Sequence, residues 1–262
     1  TLPAFPMAAR WRIASRAMAD EARLVGTFMI GTHRSAVTPP WLAGELADVL
    51  GAGVVREAVR RARVEDEREG AAPYYDAFEA EAALSAGDAT RARELATRCL
   101  ADLNPAEALL RARALAILAE SSRRLGDARG ASSAYGEAFQ IDPGVFRRLG
   151  WSVPVRYDLQ GGLAEDVGDY IASGARFDTE DWGLTVQVAA DRASGRACLL
   201  DPGGAVLGCA EETASADGET GDEFASRLAR AFFDAAFAPR VALSQADANG
   251  LDGSNRVSRD PL

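Results

Sequence analysis

The chain has 262 residues, 48% hydrophobic and 26% charged, enough to bury a real core in one large globular domain or two modest ones. Its 29 basic residues, all Arg, stand against 39 Asp and Glu, for a formal net charge of -10. That balance argues against DNA, RNA and anionic lipid as the main partner, because phosphate binding draws its affinity from clustered basic side chains. No run of about 18 apolar residues could span a bilayer.

In chain order, Trp11, Ala14, Met18, Ala22, Val25 and Met29 recur every three or four residues and predict a helix from about Ala8 to Ile30. Gly31-Thr32-His33 and Pro39-Pro40 break it. Trp41 to Leu50 reads as a second helix with Pro40 suited to its first turn. Val54 to about Asp66 reads as a third, patterned with Arg and Glu and carrying Glu57 four residues before Arg61.

An internal repeat follows. Gly87-Asp88-Ala89 returns as Gly126-Asp127-Ala128, 39 residues later. Small residues flank each turn at matching offsets, Ala80 with Ala92 and Ala119 with Ala131. Ala96 and Cys99 correspond to Tyr135 and Ala138, and Asn104-Pro105 and Asp142-Pro143 close the copies. Small side chains let two antiparallel helices approach, Gly-Asp supplies a left-handed turn between them, and Pro stops the second helix.

From about Tyr74 to Asp142 this pattern resembles the tetratricopeptide repeat, whose hairpins turn through Gly-Asp and end near Asp-Pro. The first copy departs from it, since its Pro falls one residue late, and the spacing exceeds the family's usual length of about 34. An unrelated antiparallel helical bundle would use the same spacing. The resemblance implies an adaptor or scaffold that presents a concave groove to another protein or peptide. Arg91, Arg93, Arg98, Arg111 and Arg113 lie near the helices that would line it. Arginine forks suit carboxylates, so the implied partner is an acidic or C-terminal peptide; the same residues would equally suit a solvated helix face.

After Gly150 the periodicity changes. Val153 to Leu159 alternates as a strand, Leu163 to Gly174 is helical, and Leu184 to Val188 alternates again. Ala197–Leu200 and Ala205–Ala210 flank Asp201-Pro202-Gly203-Gly204, a hairpin signal. Asp222 to Phe237 is a long amphipathic helix. The order β-α-β-β-β-α predicts a compact α+β layer. With the run from Ser173 to Phe177 and the Phe232-Phe233 pair, it resembles the α/β domains of envelope-assembly lipoproteins of the TolB N-terminal and curli-secretion type, which implies a cell-envelope component. The fold class expected is α+β: an all-helical domain over 1–150, an α+β domain over 151–243 and a polar tail over 244–262.

If the hairpin turns at Gly203-Gly204, Cys198 lies opposite Cys209, within disulfide reach. A bond there implies an oxidising compartment, which favours the periplasm or envelope over the cytoplasm; two reduced, buried side chains are the alternative. Cys99, at a small-residue position of the repeat, is expected to be a buried thiol.

Catalytic signals are thin. The single His, His33, excludes a His-rich zinc site within one chain, and no CxxC occurs. Gly26 to His33 resembles the Gly-Thr-x-His run of TraB-type metalloproteases, with Glu57 as the downstream acid. A metal-dependent hydrolase around His33 is therefore the alternative to the adaptor. Asp247 to Gly253 imitates a calcium loop but places Leu251 and Ser258 where an EF-hand needs oxygen ligands. No catalytic residue, metal or cofactor is assigned.

Overall fold

A computed structural model describes Arg60, Arg63 and residues 72–174, 176–215, 218–238 and 240. The helices expected over 8–30 and 41–50, His33, Glu57 and the 244–262 tail lie outside the described residues. Within the third expected helix, Arg60 and Arg63 have helical backbone.

Helices α1 (Ala72–Ser85) and α2 (Ala89–Asp102) form one hairpin, and α3 (Ala108–Arg124) and α4 (Ala128–Ile141) a second. The two turns are built alike. Gly87 and Gly126 take φ of +82° and +79°, which only glycine adopts without strain. Their N–H groups donate to Leu84 and Arg123 carbonyls, both at 3.0 Å, while Asp88 and Asp127 donate to Ala83 and Ser122 at 2.9 and 3.0 Å. This is the Schellman closure, which satisfies carbonyls that a helix end leaves open. Each Asp then caps the following helix, accepting from Arg91 N at 3.0 Å and from Gly130 N at 2.9 Å. Ala80, Ala92, Ala119 and Ala131 are all 0% exposed, so the expected close approach of helices is realised.

The chain divides into two compact units between Leu110 and Arg111; the first includes α1 and α2, and the second runs Arg111–Arg240. The change of periodicity at Gly150 therefore falls inside the second unit.

That second unit continues with the short helix α5 (Val145–Leu149), β1 (Val153–Gln160), α6 (Ala164–Ser173), β2 (Phe177–Thr179), β3 (Leu184–Ala190), β4 (Ser194–Leu200), β5 (Val206–Thr213) and α7 (Gly221–Ala236). The overall class is α+β. The sheet order is β2-β1-β3-β4-β5, with β1 parallel to both neighbours and β3-β4-β5 an antiparallel meander. One strand more than β-α-β-β-β-α is present. The three residues of β2 are too few to show alternation, and Phe177 is held instead by burial against Phe232.

Helices α6 and α7 cover one sheet face. Val186 pairs with Leu199 and Val188 with Ala197, all four fully buried, beneath Phe224, Leu228 and Phe232 of α7. Gly208 permits the contact: a Cβ there would lie 2.5 Å from the Ala236 Cα. Thr220 and Glu223 form a capping box that fixes where α7 begins.

Candidate functional site

Two of the arginines singled out by the repeat turn back onto α1. Arg98 grips Asp76 with two bonds, Nε to Oδ2 at 2.8 Å and Nη2 to Oδ1 at 2.5 Å, and Arg63 pairs with the same carboxylate. Arg91 Nη2 donates to Glu79 Oε1 at 3.0 Å. The Asp76 side chain is only 2% exposed. Burial pushes its carboxyl up, but the hydrogen bonds from Arg98 and Arg63 together outweigh that and hold it below the usual carboxylate range. Arg93 and Arg111 are half-buried, and neither has an ion-pair partner among the described residues. Arg113 is buried, at 3% exposure.

The second hairpin likewise buries a carboxylate. Glu120, in α3, accepts two bonds from Arg123 at 2.7 Å, one from Arg124 Nε at 2.8 Å, and one from the Tyr135 hydroxyl of α4 at 3.0 Å. Burial raises its carboxyl, yet the Arg123 and Arg124 bonds bring it below its ordinary value. Burial raises the Tyr135 hydroxyl, and the neighbouring Glu120 carboxylate raises it further. The Tyr135 ring sits 5.3 Å from Phe146 and 6.3 Å from Trp182. Ser132 Oγ donates to the Gly183 carbonyl at 3.1 Å, and a Cβ on Gly136 would lie 3.2 Å from Pro202. So α4 docks where β3 begins and β4 ends. This network escaped the sequence reading. Its signal was Glu81 and Glu120, one acidic residue at the same place in each copy, both buried.

Cys198 and Cys209 are directly opposed and joined by a disulfide, with Cα atoms 4.1 Å apart. The pairing expected from the turn holds at this point. It slips between Leu199 and Leu200, where a bulge places Val206 rather than Leu207 one step along. The bond lies on the sheet face opposite α7, in a polar ladder: Gln187 Nε2 donates to Asp158 at 3.0 Å, Arg156 Nε to Thr185 at 2.9 Å, and Arg196 Nε to Cys209 Sγ at 3.2 Å. Cys99 is a reduced thiol, fully buried. At β5, Arg227 donates to the Thr213 carbonyl at 2.9 Å and Arg240 to that of Leu207, filling acceptors along this sheet-edge strand.

Two of the cavities among the described residues lie in the second unit. One, of about 630 Å³, lies at strand ends beside Gln160, Asp191, Ser194, Arg196, Glu211 and Glu212. Its charges are committed: Asp191 accepts from Ala193 and Ser194 N–H groups, Arg196 pairs with Glu211 at 3.2 Å, and Glu212 pairs with Arg227. The other, of about 220 Å³, lies beside α5. Among the described residues no group of three His, Cys, Asp or Glu is placed to hold a metal ion, and no helix is long and apolar enough to cross a membrane. Comparison with protein families, with curated proteins and with solved structures finds no match.

Proposed function

We propose that this chain is a protein–protein interaction module of the tetratricopeptide type, an adaptor or scaffold that engages another protein through its helical hairpins. The observation supporting this reading is the twice-built Gly-Asp turn, with the same Schellman bonds, the same Asp cap and the same buried alanines at a 39-residue offset. Repeated helical hairpins offer regular helix faces to a partner. Arg93 and Arg111 are the members of the proposed binding set whose forks are left for a partner's carboxylates, in keeping with an acidic peptide. The disulfide supports an oxidising compartment. Together with the strand and helix order after Val153, it favours a periplasmic or envelope-assembly role.

The test is site-specific photocrosslinking in the native host, with a photoreactive residue at Arg93 or Arg111 and a control at exposed Glu165. The reading requires one defined protein adduct from the helix positions, absent at the control, and at least tenfold weaker capture of that protein by an Arg93→Glu, Arg111→Glu variant. Adducts indistinguishable from the control would sink it. A separate thiol count tests the compartment: alkylation of the denatured, unreduced native protein should label Cys99 alone, and three labelled thiols would exclude the oxidising address.

A further inference from the structure

The cavity of about 220 Å³ beside α5 is walled by Arg147, Trp151, Ser152 and Arg176, over an apolar floor of Phe146 and Phe237. Sites for drug-sized ligands run roughly 300–1,000 Å³, so this one has room for a group of amino-acid size. Arg176 is stacked, its Cζ 4.6 Å from the Phe237 ring centroid and 5.6 Å from that of Phe233. An arginine held over aromatic rings can still offer its N–H fork to a carboxylate by two parallel bonds. The wall's backbone is set by Val153 N to the Arg176 carbonyl at 3.0 Å and Trp151 N to the Phe146 carbonyl at 2.9 Å.

The polar side chains here point to one ligand chemistry. Arg147 and Arg176 donate only, the Trp151 indole donates only, and the Ser152 hydroxyl can donate. Among the described residues no carboxylate lines the cavity, and neither arginine has an ion-pair partner. We infer that this cavity binds the free carboxylate of an amino-acid-sized apolar group, with Arg147 and Arg176 holding the carboxylate and Phe146, Trp151 and Phe237 enclosing the side chain. The source is either a free small carboxylate or the last residue of a peptide. This site stands independently of the adaptor reading.

Trp151 fluorescence and calorimetry on the full chain test it with three probes: N-acetyl-phenylalanine, a tetrapeptide ending in phenylalanine with a free carboxylate, and the same tetrapeptide amidated. The proposal requires submillimolar binding of at least one free carboxylate, within the affinity that so small a ligand can reach, and at least tenfold weaker binding of the amide. Arg176→Gln and Arg147→Gln should each weaken the carboxylate at least tenfold; Arg147 is exposed, so its variant keeps the test open if Arg176→Gln misfolds. Tighter binding of the free tetrapeptide than of N-acetyl-phenylalanine assigns the site to a chain terminus, and the reverse assigns it to a small carboxylate. Equal binding of the amide, no binding of either free carboxylate, or an Arg147→Gln protein that binds as well as wild type overturns the inference.

Discussion

The two hairpins share one turn and one set of buried alanines, yet they differ in what their second helices do. In the first, α2 reaches back with Arg91 and Arg98 to carboxylates on α1, from side chains that remain 39% and 44% exposed. In the second, α4 turns Tyr135 inward to Glu120 and lays its other contacts on the start of β3. Aligned at the 39-residue offset, Tyr135 corresponds to Ala96. Small residues and a Gly-Asp turn thus specify a hairpin, while a single bulky position alters what that hairpin packs against. A repeat unit can keep its local geometry and change its role.

Four perturbations break or sharpen that contrast. The largest effect is expected from Tyr135→Ala, which empties a site 1% exposed and orphans Glu120 from its hydroxyl donor; unfolding by urea should show a loss of about 3–5 kcal/mol. Ala96→Gly at the equivalent place should cost only about 1 kcal/mol. If both cost the same, Tyr135 is not what distinguishes the copies.

Next, replacing Cys198 and Cys209 with Ala should lower the stability of the second unit by about 2–4 kcal/mol. Hydrogen exchange in α1 and α2 should not change. Faster exchange there would show that the units share a single unfolding transition.

Acid should act on both hairpins, each through its own carboxylate. Asp76 and Glu120 have folded pKa values below their ordinary ones. The stability each contributes is therefore present above an unfolded pKa of roughly 4 and is lost as pH falls through the folded value. Asp76→Asn should flatten the acid limb of α1–α2 protection, and Glu120→Gln that of α3–α4, each at a cost of about 1–3 kcal/mol near neutrality. An acid limb left unchanged in both variants would remove these networks as its cause.

The smallest effect tests what the copies share. Gly87→Ala and Gly126→Ala should each cost about 1–2 kcal/mol, because both glycines sit in the left-handed region and neither faces a clash that would add to it. Unequal costs would mean that the turns are alike in geometry but not in load.

Much of this was legible because local rules carry it. A Gly-Asp pair with alanines at fixed offsets determines a close helical hairpin, since only glycine tolerates the turn and only small side chains tolerate the approach. Asp201 to Gly204 determined a β-turn, and the turn opposed Cys198 to Cys209 by counting alone. Other features depended on neighbours distant in the chain. The bulge at Leu200, the three residues of β2 and the five of α5 are too short or irregular for periodicity to reveal. Nor could spacing say that Arg98 would fold onto Asp76 while Arg147 and Arg176 would both line one cavity. A charged side chain on a helix looks the same in sequence whether it ends on a carboxylate, in water or beside a pocket. Desolvation and the nearest opposite charge decide among those ends, and both are properties of the packed chain.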